Sequence, residues 1–147
     1  MLYSFRFYIS WIVSAVIMYL AFYIWHGVLL NDFNHLPFSK GLFLGLSSIV
    51  YLVISFVLYV VFEFKPFKDK IPGLFLRGTI SGMVVGFILF SITTVLSISF
   101  KENVNINYLL LDFFWQMIEQ MIGGVVICFL KLIIFEPVPE LSHDDDD

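Results

Sequence analysis

The stretch Gly41–Phe62, GLFLGLSSIVYLVISFVLYVVF, decides the fold class. It holds 22 residues and no charged side chain. Val, Ile and Tyr are frequent in it, which in a water-soluble protein would favour a β-strand. Its length argues against a strand, because a membrane-spanning helix needs about 20 mainly apolar residues and a membrane strand only about 9–11. The stretch therefore predicts a transmembrane helix.

Three further apolar runs of similar length predict three more spans, at about 7–30, 73–99 and 107–135. Polar segments separate them, and Pro137 and Pro139 stop the last one because proline cannot continue a helix. We therefore predict an all-α, integral membrane four-helix bundle over residues 1–136. The acidic remainder, 137–147, is expected to be a disordered cytoplasmic tail.

The composition agrees with a membrane protein and narrows the function classes. Hydrophobic residues make up 60% of the chain and charged residues 14%, against about 45–50% and 25% in average soluble domains. The net charge of −4 equals that of Asp144–Asp147, so no basic surface predicts a nucleic-acid partner. Nucleophile–base, phosphate-loop and closed metal motifs are lacking. We predict no enzyme activity, no cofactor and no metal, and a bilayer as the main partner.

Lys and Arg predict the orientation, because cytoplasmic loops carry an excess of them. Six of the eight fall on the side shared by the N-terminus, the middle loop and the C-terminus: Arg6, Lys65, Lys68, Lys70, Arg77 and Lys131. The other side holds Lys40 and Lys101. This predicts that both termini are cytoplasmic (N-in/C-in).

Small residues predict where helices pack closely, because lipid-embedded helices associate through close backbone approach. Gly78, Gly82 and Gly86 lie on one face of the third span, and Gly123-Gly124 interrupts the fourth. The pattern favours packing within the bundle, and the alternative is a homo-oligomer or docking to a larger membrane complex.

The fourth span also carries polar residues at helical spacing. Asp112, Gln116 and Glu119 lie four and three residues apart on one stripe, with Gln120 beside it. An acidic residue near the middle of the bilayer costs about 2.5–3.5 kcal/mol and is a functional candidate by default. The stripe predicts an intramembrane ligand-binding or proton-coupled site around Glu119. The alternative is a hydrogen-bonded cluster that fixes helix register.

A second group of polar residues is predicted at the outer mouth of the bundle. His26 ends the first span, Asp32 and His35 follow in the loop, and Asp112 begins the fourth span on the same side. Histidine and carboxylate can bind metals or relay protons. The spacing matches no closed metal motif, so we expect interfacial hydrogen bonding.

The pattern Asp112-x-x-Trp115-Gln116-x-x-Glu119-x-x-Ile122-Gly123-Gly124 resembles the last helix of small bacterial four-helix inner-membrane proteins of unknown function. The glycine-bearing third span and Trp25-His26-Gly27 are similar to the same group. The resemblance implies the four-helix layout and no particular activity. From the residues we predict a non-enzymatic binding or transport module, homo-oligomeric if it transports. The alternative is an accessory subunit that joins a larger complex through the Gly78–Gly82–Gly86 face.

Overall fold

The computed structural model describes residues 5–34, 39–100 and 106–134, and every regular element among them is a helix. Helix α1, Phe5–Phe22, continues as a π-helical segment, Tyr23–Leu29, and a short 3-10 turn, Asp32–Asn34, follows it. The remaining helices are α2, Lys40–Glu63; α3, Lys65–Lys70; α4, Leu74–Phe100; and α5, Ile106–Ile133. His35 and the tail 137–147 lie outside the described residues.

Four of these helices are long and apolar enough to cross a membrane: α1 with its π-helical extension, α2, α4 and α5. The prediction of an all-α chain with four such helices is confirmed. Each begins and ends within two residues of its predicted span. Two local features differ from expectation. The polar break after Glu63 folds into the six-residue helix α3, with a proline in its first turn, and α1 ends in π-helical rather than α-helical geometry.

The central helix of the bundle is α5, which packs against α1, α2 and α4. Two ends of the bundle are defined by what lies there. At the terminal end, the Arg6 guanidinium donates two hydrogen bonds to the carbonyl of Ile134, one of 2.8 Å from Nε, and Lys131 pairs with Glu63. The opposite end, where α1 finishes and α5 begins, is called the loop end.

The glycine face of α4 lies directly against the backbone of α5. A Cβ atom added to Gly78 would lie 2.5 Å from the carbonyl oxygen of Gly124, and one added to Gly86 would lie 2.9 Å from that of Gln116. Gly82, between them, contacts the backbone of Gln120 more closely still. Only glycine permits helices to approach this closely, because any side chain would collide with main-chain atoms.

This contact corrects one alternative derived from the sequence. The Gly78–Gly82–Gly86 face was a possible docking surface for a larger complex, but α5 of the same chain covers it. Gly123 is likewise internal, since a Cβ there would meet the side chains of Met18 and Leu58. The small residues therefore hold the bundle itself together.

Side-chain hydroxyls and an indole add polar contacts between the helices. Ser14 of α1 donates to the carbonyl of Gly123 in α5 at 3.1 Å. Ser55 of α2 donates to the Trp11 carbonyl at 2.7 Å, and the Trp11 indole donates to the Leu52 carbonyl at 2.7 Å. Hydrogen bonds of this kind help fix helix register in lipid, where apolar burial gives little drive for association.

Candidate functional site

Glu119 and Gln120 lie midway along α5 and are almost fully enclosed by the other helices. The exposed fraction of Glu119 is 1% and that of Gln120 is 0%. Because α5 packs against three helices, the part of it that carries Glu119 and Gln120 faces the bundle interior. A charged or amide side chain in such a place needs hydrogen-bond partners, since burying an unpaired polar group costs free energy.

The carboxyl group of Glu119 has one clear side-chain partner. The Tyr51 hydroxyl of α2 donates a hydrogen bond to it. The indole N–H of Trp115, one helical turn away on α5, lies near the carboxyl but outside hydrogen-bond geometry. Within the described residues, the Glu119 Oε1 atom and the Trp115 Nε1 atom have no hydrogen-bond partner. Glu119 thus keeps an oxygen available for a further donor or cation.

The neighbouring amide of Gln120 is also unsatisfied. In the part of the chain that the structure describes, neither its Nε2 nor its Oε1 atom has a partner, and the buried hydroxyl of Ser81 on α4 has none. Ser81 adjoins Gly82, whose Cα packs against the Gln120 backbone. Buried polar atoms without partners are uncommon in folded proteins. The unpartnered atoms of Gln120 and Ser81 therefore need an explanation of their own, together with the free oxygen of Glu119.

A polar cavity of about 210 Å³ lies toward the loop end from this layer. Its lining residues come from the end of α1, from α4 and from α5: His26, Phe90, Thr93, Thr94, Leu109, Asp112, Trp115 and Gln116. The π-helical segment brings its own side chains to this region. Trp25 stacks on Trp115 with ring centroids 4.2 Å apart and an interplanar angle of 7°. Segments of π-helix occur frequently at functional sites.

A second cavity of about 390 Å³ has a mainly apolar and aromatic lining. It is formed by Phe22, Phe43, Leu46, Ser47, Val50, Tyr51, Ile54, Leu89, Thr93 and Gln116. Thr93 and Gln116 line both cavities. Glu119 lines neither of these two, but Tyr51 of the apolar cavity bonds to it and Trp115 of the polar cavity lies near it. The carboxyl of Glu119 therefore lies next to lining residues of both cavities.

The structure separates the predicted site residues into three positions. Glu119 and Gln120 are buried, Gln116 lies between the two cavities, and Asp112 is exposed at the loop end, where it and His26 line the polar cavity. The other residues predicted for the outer mouth are not placed: the side chain of Asp32 and all of His35 lie outside what the structure describes. Among described residues, no group of three or more His, Cys, Asp or Glu side chains is arranged to hold a metal.

Sequence reasoning did not name Tyr51 and Trp115 as site residues, although both side chains lie beside the Glu119 carboxyl. Tyrosine and tryptophan in membrane helices usually anchor the ends of a span. Tyr51 instead lies well inside α2 and is buried. Its position in the middle of an apolar run was the available signal, because a phenol hydroxyl there needs a partner within the bundle.

No family model, curated protein or solved structure matches this chain.

Proposed function

We propose that this chain is a membrane-embedded, non-enzymatic binding or transport module whose central polar group is Glu119. One observation carries the proposal: a carboxyl group 1% exposed, midway along the central helix, bonded to Tyr51 and flanked by two cavities. Ionisable residues inside membrane helices are costly and serve ligand, ion or proton pathways by default. A purely structural carboxyl would be expected to have both oxygens paired.

The chemistry around the carboxyl favours a small cation with an apolar body. The carboxylate supplies the opposite charge, and the rings of Phe22, Phe43 and Tyr51 line the larger cavity. Aromatic faces attract ammonium groups, most strongly where water is excluded. The cavity volume of about 390 Å³ lies within the usual range of ligand pockets. The ligand class proposed is therefore an aromatic or alkyl ammonium ion.

In this proposal the polar cavity is the route from the loop end. Asp112 and His26 line its outer part, and Gln116 and Trp115 line the part nearest Glu119. A cation or a proton that enters there meets acceptor groups before it reaches the buried carboxyl. Movement of the Tyr51 side chain, which lines the apolar cavity, away from Glu119 would then open that cavity to the same carboxyl.

The proposed setting is a bacterial inner membrane with both termini in the cytoplasm, as the resemblance to small four-helix proteins and the distribution of Lys and Arg favour. Asp69 on α3 is exposed at the terminal end. A cysteine introduced there, in a Cys128→Ser background, is expected to resist a membrane-impermeant thiol reagent in sealed cells. Labelling without lysis would reverse the orientation.

A transport role would require more than one copy of the chain, because four helices offer little room for a pathway across the bilayer. The homo-oligomer in this proposal associates through a surface other than the glycine face of α4, which α5 covers. Native mass spectrometry of gently extracted protein gives the copy number directly. A strict monomer would restrict the proposal to binding.

The test is equilibrium binding of benzyltrimethylammonium to the purified protein in lipid nanodiscs. This probe carries a permanent charge on an aromatic body. Glu119→Gln is expected to weaken binding by about tenfold or more, since it removes a desolvated charge partner and keeps the shape. Asp69→Asn is the matched control, because it makes the same change of charge at an exposed position of α3.

Two outcomes would contradict the proposal. If wild-type protein does not bind the probe, the assigned ligand class is wrong. If Glu119→Gln binds as tightly as Asp69→Asn and unfolds at the same temperature as wild type, the carboxyl has no role in recognition.

A further inference from the structure

A separate cluster of charged side chains lies at the terminal end, away from Glu119. It consists of Lys68 on α3, Arg77 on α4 and Lys131 on α5, together with the carboxylate of Glu63, and is called the basic cluster below. Lys68 and Lys131 both pair with Glu63. The guanidinium carbon of Arg77 lies 4.5 Å from the centroid of the Phe62 ring, and Lys131 Nζ lies 5.3 Å from the same centroid. Two helices, α4 and α5, thus bring cations to one aromatic ring, and α3 adds Lys68 through its ion pair with Glu63.

Within the described residues, the cluster has more positive than negative charge. Three cations lie there with one carboxylate, that of Glu63, which pairs with both Lys68 and Lys131. Despite its pairing with Glu63, Lys68 has a lowered pKa, first because of partial burial and second because of the nearby Arg77 guanidinium. Lys65 and Lys70, also on α3, are exposed and lie outside the cluster.

Arg77 is the residue that most needs a further partner. Its exposed fraction is 7%, and no acceptor lies within hydrogen-bond reach of its Nε atom in the described part of the chain. No carboxylate of the described residues pairs with it either. Arginine is rarely this buried unless it is paired. A buried guanidinium beside two ammonium groups therefore calls for an anion from outside these residues.

We propose that the basic cluster binds a phosphate group, supplied by the headgroup of an anionic phospholipid. The planar guanidinium matches phosphate oxygens in a bidentate geometry, and lysine ammonium groups complete such sites as point charges. The cluster lies where α2 ends and α4 begins. On helices of membrane-spanning length this is the level of the headgroups, where basic pockets between helices bind anionic lipids. Free phosphate offers the same chemistry, and the experiment distinguishes the two sources.

The experiment is native mass spectrometry of the full chain in detergent, titrated with phosphatidylglycerol or phosphatidylcholine of identical acyl chains. Wild-type protein is expected to retain phosphatidylglycerol preferentially as discrete adducts. Arg77→Gln and Lys131→Gln should each weaken this binding by about tenfold, the loss expected for a charge-assisted hydrogen bond. Lys65→Gln is the matched control, since it removes one charge from the same end of the bundle but not from the cluster.

Each outcome decides for or against the site. Retention of phosphatidylglycerol by Lys65→Gln and its loss in either cluster variant supports the proposal, and Lys131→Gln serves if Arg77→Gln fails to fold. Competition by inorganic phosphate, with stabilisation by phosphate alone, identifies a free-phosphate site. If Lys65→Gln and Lys131→Gln weaken phosphatidylglycerol binding equally, the binding depends only on surface charge. That result would overturn the proposed site.

The acidic segment of the same chain is the remaining competitor. If wild-type protein binds no phosphatidylglycerol, whereas a variant with Asp144–Asp147 all changed to Asn binds it tightly, the occupant is the chain's own tail and the lipid proposal is wrong.

Discussion

Replacing Gly82 with alanine tests whether close approach of α4 and α5 holds the bundle together. A Cβ atom at Gly82 would lie 2.6 Å from the Cα of Met121 and 2.7 Å from the carbonyl carbon of Gln120. Ordinary contacts of a Cβ begin near 3.4 Å. The neighbours are backbone atoms, so no side chain can rotate away. The two helices must therefore separate by about 1 Å. This separation loses a quarter to a half of the dispersion energy across the α4–α5 interface, called the seam below.

The expected cost is about 1–3 kcal/mol of unfolding free energy, typical of overpacking in a filled core. Part of this cost is offset, because alanine is a better helix former than glycine by about 0.8–1 kcal/mol. The variant Gly45→Ala measures that gain in helix propensity by itself. Gly45 is also in a long helix, and a Cβ there meets nothing within 4 Å. The difference between the two variants isolates the collision at the helix seam.

The assay is equilibrium unfolding in mixed micelles of a mild detergent and dodecyl sulfate, followed by circular dichroism. Gly86→Ala should rank between the other two, since its nearest backbone atom would be at 2.9 Å rather than closer. If Gly82→Ala and Gly45→Ala have equal unfolding free energies, the seam is not as tight as described and the internal role of the glycine face is refuted.

Three further substitutions address other contacts of the bundle. Ser14→Ala removes the hydrogen bond from α1 to the Gly123 carbonyl, which should cost about 0.6 kcal/mol in the same unfolding assay. Met18→Ala empties a fully buried position and should cost about 2–5 kcal/mol, because the surrounding helices cannot close the cavity completely. Trp25→Phe should abolish the near-ultraviolet circular dichroism couplet expected from the stacked Trp25–Trp115 pair.

Each of these has a matched control. Ser48→Ala removes a hydroxyl that bonds within its own helix at an exposed position, Leu20→Ala shortens an exposed side chain of α1, and Trp11→Phe removes an indole far from the pair. Loss of stability in Ser48→Ala equal to that in Ser14→Ala would count against the interhelical bond. Leu20→Ala is expected to lower the unfolding free energy only slightly. An equally small loss in Met18→Ala would mean that the core relaxes around the smaller side chain. Loss of the couplet in Trp11→Phe would assign it to other rings.

The four long helices were predictable because the bilayer imposes length. The run Gly41–Phe62 had to be a helix of about that size, and α2 occupies Lys40–Glu63. The glycine spacing on α4 was equally readable, since residues four apart share a helical face. Which helix that face would meet was not readable, because periodicity defines a face but not the partner.

The surroundings of Glu119 show the same limit. Its spacing from Gln116 and Asp112 predicted a common stripe, yet only Glu119 and Gln120 became buried, while Asp112 is exposed at the loop end. Whether Glu119 contacts Tyr51 depends on how α2 is rotated about its own axis relative to α5. No local sequence pattern determines that rotation. The π-helical segment Tyr23–Leu29 was also invisible, because nothing in its composition separates it from an ordinary helical turn.

The central place of α5 has a consequence for how the bundle is made. Among these four helices α5 leaves the ribosome last, and it is also the least apolar of the four and the one with the largest buried share. Until α5 is in place, its partner on the glycine face of α4 is missing and the hydroxyl of Tyr51 lacks the carboxyl of Glu119 as acceptor. The earlier helices can form first, but the bundle closes only when translation of α5 is complete. Quality-control proteases would therefore meet a chain with an open seam whenever synthesis stops before this helix.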